Sequence, residues 1–317
     1  YLSSYNSWNR LTEVQYLMLS KSQSWMSASE ADAKIELLRN NDAMKEIEKY
    51  IIRPERSQQH SVTISGGTEK NLFNGSLKLN KEFGNLDNND NSRLIADVNN
   101  IWKPVKWFTF KFLSNINYTK SVTSGESYSN FRNDPYTDLY SDNGEEIFYN
   151  PAGQRRIPEY SKYSLMKSML YHPADELKYQ YTLNQNLQIR IGGDITLKIS
   201  DDLSVSGGGA WVKGMNDSKI VKLGESYLMR SSYNDGASRT NLIKRYIPDG
   251  GKLDGNQGSM ESWVLRGQIN FRKNLDNDNH RISAIIGTEI SKDTYQTITL
   301  PTYLGYNPVS ASVNTGF

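Results

Sequence analysis

The chain has 317 residues, with 37 Lys and Arg against 35 Asp and Glu, a formal net charge of +2 and no cysteine. A balance this near zero leaves no electrostatic footprint for nucleic acid, and the lack of cysteine removes disulfides and thiolate metal ligands. No apolar run approaches the roughly 18 to 20 residues of a membrane-spanning helix, and Tyr1-Leu2-Ser3-Ser4 opens without the basic and apolar regions of a signal peptide.

Residues 1–57 read as helical. Ser27 and Glu30 have the spacing of a capping box, Ile35, Leu38, Met44, Ile47 and Ile51 follow at helical intervals, and Arg53-Pro54 ends the pattern. The plain reading is one or two amphipathic helices packed on a larger body. The functional one is an excursion that binds a partner.

From Gln58 the period changes to two. His60, Val62 and Ile64 alternate with Ser61, Thr63 and Ser65, and the run breaks at Gly66-Gly67, turns through Thr68 to Lys70 and resumes over Leu72 to Leu79. A polar link, Leu86 to Asn91, leads to a strand over Ser92 to Ile101. A short turn at residues 103–106 precedes a strand with Phe108, Phe110 and Phe112 on one face and Thr109 and Lys111 on the other. Residues 119–184 form a long excursion rich in Tyr, Asn, Asp, Ser and Pro. The next strand sets Ile189, Ile191, Ile195, Leu197 and Ile199 against Arg190, Asp194, Thr196, Lys198 and Ser200, turns at Asp201-Asp202 and returns through Leu203 and Val205 toward Trp211. A second polar excursion covers residues 213–260. The last hairpin sets Trp263, Leu265, Ile269 and Phe271 against Arg266, Gln268, Asn270 and Arg272, turns through residues 273–279 and returns with Ile282, Ala284 and Ile286.

Short turns therefore alternate with longer links at residues 84–91, 119–184 and 213–260. This rhythm predicts an all-β fold, part of a large antiparallel transmembrane barrel with tight turns at one end and long loops at the other. A mean hydropathy of -0.67 does not oppose it. A barrel strand needs only about 9 to 11 residues with every second one apolar, so averaging hides the signal. Arg190, Lys198, Arg266 and Arg272 are expected to line a wet lumen, because a charge facing lipid near the midplane costs roughly 2 to 4 kcal/mol. About eight strands would leave an open arc with bare edges, which lipid does not tolerate. The chain is accordingly expected to be one portion of a longer protein.

No catalytic, cofactor or metal site stands out. The three histidines have no HExxH-like spacing, and His172-Pro173-Ala174-Asp175-Glu176 reads as a loop turn in preference to a ligand set. Asp87 to Asn91 is oxygen-rich but lacks the Gly and terminal Glu of an EF-hand. The glycines from Gly250 to Gly255 have no strand before them or helix after them, so they are not a phosphate cradle. The candidate substrate-binding residues are Tyr128, Tyr136, Tyr140, Tyr149, Tyr160 and Tyr163, joined by Tyr171 and Tyr179. Such rings stack on sugars or grip peptide backbone at little entropic cost. Their plain reading is packing of the loop against itself or against a lid protein. Trp102, Trp107 and Phe108, beside a short turn, read as an interfacial girdle.

Three phrases carry a family resemblance: VTISGGTEK over residues 62–70, then Arg93-Leu94, Asn99 and Trp107-Phe108 on the following strands, and HRISAIIGTE over residues 280–289. In this order they resemble the SusC/RagA family of TonB-dependent outer-membrane transporters, through short phrases scattered over most of residues 10–293. The resemblance implies a 22-stranded barrel with a plugged lumen. It makes residues 1–57 a helical extracellular insertion and residues 58–317 barrel strands. Plug and TonB-coupling segments are then expected before Tyr1 and further strands after Phe317. It also implies import of oligosaccharides or peptides across the cell outer membrane, energised by TonB, under a SusD-like surface lipoprotein, with no catalysis. The alternative, from another class, is a soluble or surface-displayed β-rich adhesin or glycan-binding module, which would fold alone in water.

Overall fold

In the computed structural model, residues 11–125, 135–136, 138–148, 165–238, 244–275 and 280–314 are described. Three helices come first: α1 (Glu13–Ser22), α2 (Ala28–Leu38) and α3 (Ala43–Tyr50). Helix α1, which the apolar spacing did not announce, starts on a full capping box. Thr12 Oγ1 accepts from the Gln15 N–H at 3.3 Å, and Gln15 Oε1 accepts from the Thr12 N–H at 3.1 Å. At Ser27 only half of the expected box forms. Its hydroxyl accepts from the Glu30 N–H at 3.2 Å, while the Glu30 carboxylate pairs with Lys34 at 3.0 Å. Asp42 caps α3 by accepting from the amides of Met44 and Lys45, so the helical stretch breaks ahead of it.

Eight long strands follow in an antiparallel meander: β1 (Arg56–Thr68), β2 (Asn71–Phe83), β3 (Asp90–Val105), β4 (Phe108–Ser124), β5 (Gln180–Lys198), β6 (Leu203–Lys222), β7 (Gly251–Leu275) and β8 (His280–Thr299). Strand β9 (Tyr303–Asn307) carries on beyond β8 along β7, and β10 (Ser312–Val313) folds back on β9. The helix α4 (Pro173–Tyr179) leads into β5, and α5 (Tyr227–Asp235) lies between β6 and β7. The ten-stranded sheet does not close on itself.

Residues paired across neighbouring strands share a face. One row runs Val62, Leu77, Ala96, Ile116 and Ile189, and another runs Phe112, Gly193, Gly209, Leu265 and Ile290. The opposite face carries Thr63, Ser76, Asp97, Asn115 and Arg190 in a single row. Among the described residues nothing covers the apolar face: Ile64 is 67% exposed and Ile286 73%. The buried apolar side chains lie elsewhere. Among the described residues only Val221 of these is on a strand, and it sits at the loop end of β6. The core is a cap where α3, the β2–β3 link, the first long loop and α4 meet, built from Ile47, Ile51, Leu86, Leu139 and Leu177.

The strands run further into the predicted excursions than their side chains advertised. β4 continues to Ser124 and β5 begins at Gln180, so the first long loop is residues 125–179 where 119–184 was expected. The second is residues 223–250 where 213–260 was expected, because β6 and β7 pair from Lys213↔Glu261 out to Lys222↔Lys252. Backbone pairing continues there although both faces have turned polar. The β3–β4 turn is Lys106-Trp107, not residues 103–106, since Pro104 sits within β3 at an irregularity between Trp102 and Val105 where no ladder amide is needed. Lys273 to Leu275 belong to β7, and residues 276–279 of that expected turn lie outside the described residues. The oxygen-rich β2–β3 link is occupied by Arg53, whose guanidinium donates to Gly84 O at 2.8 Å and to Asp87 and Asp90 at 2.9 Å each.

Candidate functional site

The polar face of the sheet is a hydrogen-bonded surface. Asp97 accepts from Asn115 Nδ2 at 2.6 Å and from Ser76 Oγ at 3.4 Å, while Arg93 Nε donates to Asn117 Oδ1 at 3.0 Å. Arg190, Lys198, Arg266 and Arg272 all stand on this face by register: Arg190 opposite Asn115, Lys198 opposite Ser204, and Arg266 and Arg272 at even positions of β7. Arg266 reaches across β6 to Asp194 on β5, with Nη2 to Oδ1 at 2.8 Å. Gly208 is the register partner of both, and a Cβ there would collide with the Asp194 carboxylate. The glycine is what lets the pair form. As the Arg266 side chain is 61% exposed, the pair contributes about 0.2 to 1 kcal/mol and serves to fix a charge pattern more than to hold the sheet.

Above the sheet the two long loops are joined by buried polar groups. Glu176 of α4, 1% exposed, accepts from the Tyr227 N–H at 2.7 Å and from Gln180 Nε2 at 3.3 Å, with Arg230 Nη2 at 3.6 Å. Arg230 also donates to the carbonyls of Ser168 (2.7 Å) and Leu170 (2.6 Å). Asn234 holds the backbone of Lys167 from both sides, each bond 2.8 Å long. Arg245 donates to Leu165 O at 2.7 Å and lies over the Tyr233 ring. Between these loops and the β9–β10 hairpin opens a cavity of about 1360 Å³, with Lys167, Glu176, Arg230, Asp249, Tyr306 and Asn307 on its wall. Gly250, at φ 132°, packs against the Gly305 backbone so closely that a Cβ would come within 2.8 Å of it. The glycine run of the sequence thus brings two chain segments together at the cavity wall.

The tyrosines divide. Tyr128, Tyr149, Tyr160 and Tyr163 lie outside the described residues. Tyr136 is exposed, and its carbonyl accepts from Asn41 Nδ2 at 3.3 Å, which clips this part of the loop to the helices. Tyr140 is half-buried against the cap core, its ring 4.3 Å from that of Tyr50 and 5.2 Å from His172. Burial, then the carboxylates of Glu146 and Asp175, push its phenol above the usual range. Tyr171 stacks edge-on against Tyr227 at 5.9 Å, tying the first loop to the second. Trp102 and Trp107 both contact Phe108 edge-on beside the β3–β4 turn.

Three groups come together that their sequence positions do not suggest. Glu146, His172 and Asp175 each offer a ligand atom, all within 4.8 Å of one another. The His172 to Glu176 stretch, which reads as a loop turn in sequence for want of ligand spacing, is instead the N-cap and first turn of α4, and Glu146 joins it from a remote part of the chain. Two missed features, the Glu176 hub and this cluster, both depend on contacts between segments that no local pattern encodes.

Fold and faces together define a large up-and-down antiparallel sheet of the kind that builds wide β-barrels, with one apolar face and one polar face. Its fold is that of chains of the RagAB peptide importer. In the closed-closed state of that importer the match has 13% identity and a TM-score of 0.64, covering 88% of this chain and 28% of the other. In the open-open state the values are 12%, 0.64, 87% and 28%. A further RagAB peptide transporter structure matches at 12% identity and a TM-score of 0.59, covering 90% of this chain and 34% of the other. The chain thus spans about a third or less of these proteins. No family model and no curated protein matches its sequence.

Proposed function

We propose that this chain forms one sector of an outer-membrane import barrel that carries peptides or oligosaccharides, energised through TonB and covered by a SusD-like lipoprotein. The observation that carries this reading is the continuous apolar face across eight strands, left uncovered while a polar, charge-bearing face lies behind it. On β6 this face runs Leu203, Val205, Gly207, Gly209 and Trp211, uncharged over about 26 Å of strand at ~3.3 Å per residue. At a tilt near 40° this is about 20 Å of depth, close to the ~25 Å band of an outer-membrane barrel. Beyond Trp211 and its partner Trp263 the same face becomes charged, with Lys213 on Glu261 at 3.2 Å and Lys219 on Asp217 at 3.0 Å. Such a border suits an aromatic girdle at the outer interface, with Trp102 and Trp107 at the inner one.

In this reading Arg190, Lys198, Arg266 and Arg272 line the lumen, and residues 1–57 and the two long loops stand outside the cell. The cavity between the loops, with charges of both signs, receives the ligand, assisted by the tyrosines of the first loop. Ligand is held under the lipoprotein lid until the energised plug opens a path through the lumen. This chain supplies wall and loops, and no chemistry. The fold shared with the RagAB peptide importer supports the peptide branch of the substrate class.

The test is uptake by whole cells expressing the full-length protein, using labelled oligopeptides and oligosaccharides of matched size, with and without a protonophore. Protonophore-sensitive accumulation of either class is the expected result. Recovery of the protein in the soluble or surface-released fraction, with ligand binding but no accumulation, would favour the adhesin alternative and overturn the proposal.

A further inference from the structure

We propose that Glu146, His172 and Asp175 form a binding site for one divalent cation of the zinc type, which clips the first long loop to the start of α4. The argument begins with His172. Its side chain is 1% exposed, and Nε2 lies 3.2 Å from the carbonyl oxygen of Leu139. A carbonyl only accepts, so Nε2 carries the hydrogen. In the neutral ring the lone pair is then on Nδ1. That atom is buried with no hydrogen-bond partner, and it faces Asp175 Oδ2 at 3.4 Å in poor alignment for a hydrogen bond. A lone pair aimed at a carboxylate oxygen in a buried place is repulsive unless Nδ1 takes up a second proton, which would pair with Asp175, or a metal cation sits between them, and the unpartnered, misaligned Nδ1 favours the metal.

The remaining geometry suits that cation. A histidine that ligates a metal through one nitrogen characteristically donates its other N–H to a carboxylate or backbone carbonyl, the role Leu139 fills here. Tetrahedral coordination at ~2.0 to 2.2 Å places ligand atoms about 3.4 Å apart. His172 and Asp175 already meet this spacing. Glu146 completes a set spanning no more than 4.8 Å and, being exposed, is free to swing inward. Lys178 engages the other carboxylate oxygen, Oδ1, of Asp175 at 3.3 Å, leaving Oδ2 for the ion. One imidazole and two carboxylates with a water in the fourth position suit Zn²⁺, whereas Ca²⁺ and Mg²⁺ prefer all-oxygen shells.

The two halves of the site belong to different parts of the loop. Glu146 lies on the short bridge that pairs with Tyr140, and His172 and Asp175 flank the first turn of α4, whose Leu177 enters the cap core. An ion joining them ties the Tyr140–Glu146 bridge to the start of α4.

The test uses the full-length protein in detergent, stripped with a chelator and titrated calorimetrically with ZnCl₂, with CaCl₂ in parallel. Saturable uptake of Zn²⁺ is expected, with one site weakened by at least ~10-fold in Glu146→Gln, an exposed change that leaves the cap core untouched. In the wild type alone, ZnCl₂ should slow amide exchange over residues 138–148 and 172–179. Zn²⁺ binding that is absent or unchanged in Glu146→Gln would overturn the proposal, as would a preference for Ca²⁺.

Discussion

Truncating Glu176 should separate the two long loops without disturbing the sheet. Its carboxylate accepts the Tyr227 amide at 2.7 Å and Gln180 at 3.3 Å and faces Arg230 at 3.6 Å, all with the residue 1% exposed. Glu176→Ala leaves a part-buried amide and a guanidinium without this partner. Hydrogen bonds to a charged group contribute about 1.5 to 3 kcal/mol, and removal of one member of a buried ion pair costs about 3 to 5. Arg230 keeps the carbonyls of Ser168 and Leu170, so the low end applies, about 3 kcal/mol. That energy corresponds to ~100-fold more frequent opening of the contact. Glu176→Gln retains an acceptor for Tyr227 and should cost about 1 kcal/mol. Hydrogen exchange read by mass spectrometry on peptides from residues 223–238, against residues 256–275 of β7 as internal reference, resolves the two variants. Exchange in 223–238 accelerated less than about threefold by Glu176→Ala would refute the assignment of Glu176 as the joint between the loops.

Leu265→Arg places a charge on the apolar face at the level of Gly209 and Ile290, and should destabilise the folded protein in bilayers by about 2 to 4 kcal/mol in denaturant titration. Leu265→Met, by contrast, should stay within about 1.5 kcal/mol. Arg53→Met removes three hydrogen bonds to the β2–β3 link but leaves Asp87 and Asp90 with access to water, so a loss of about 1 to 2 kcal/mol is expected, seen as faster exchange at residues 84–89. Asp138 has its carboxyl pushed up by burial, then by Glu46 and Asp142. Its native form therefore keeps a proton that the unfolded chain has lost, and its contribution to the stability of the cap falls as pH rises from the ordinary carboxylate value through the raised one. Asp138→Asn should flatten that slope in pH-dependent melting of the cap and should not lower its stability at neutral pH.

The strands were legible because an apolar face backed by a polar one writes itself into alternate residues, as in Ile189 to Leu197 and Trp263 to Phe271. Where both faces are largely polar that code fades. The far parts of β4 to β7 consequently read as loop, although Thr119 to Ser124 and Lys252 to Met260 continue the same ladders. Pro104 misplaced a turn because proline is tolerated within a strand at an irregularity as well as between strands. Helix α1 hid because Leu17, Met18 and Leu19 are consecutive and give no amphipathic stripe, yet its Thr12–Gln15 capping box was there to be read. At the candidate site the charged residues of the polar face came from period two alone. The Glu176 hub, the Arg53 clamp and the Glu146–His172–Asp175 cluster each join segments that lie far apart in the chain.

The most direct test of the membrane-facing assignment is a nitroxide scan along residues 187–198 of the full-length protein in outer-membrane vesicles, which the absence of native cysteine from this chain favours. Accessibility to oxygen, which partitions into lipid, and to a polar nickel chelate, which stays in water, would be measured at each position. The account predicts period-two alternation, with Ile189, Ile191 and Ile195 reached by oxygen and Arg190, Asp194 and Thr196 by the chelate. Equal access of the chelate to both sets would mean that the apolar face meets water or protein, and would contradict the barrel-wall reading.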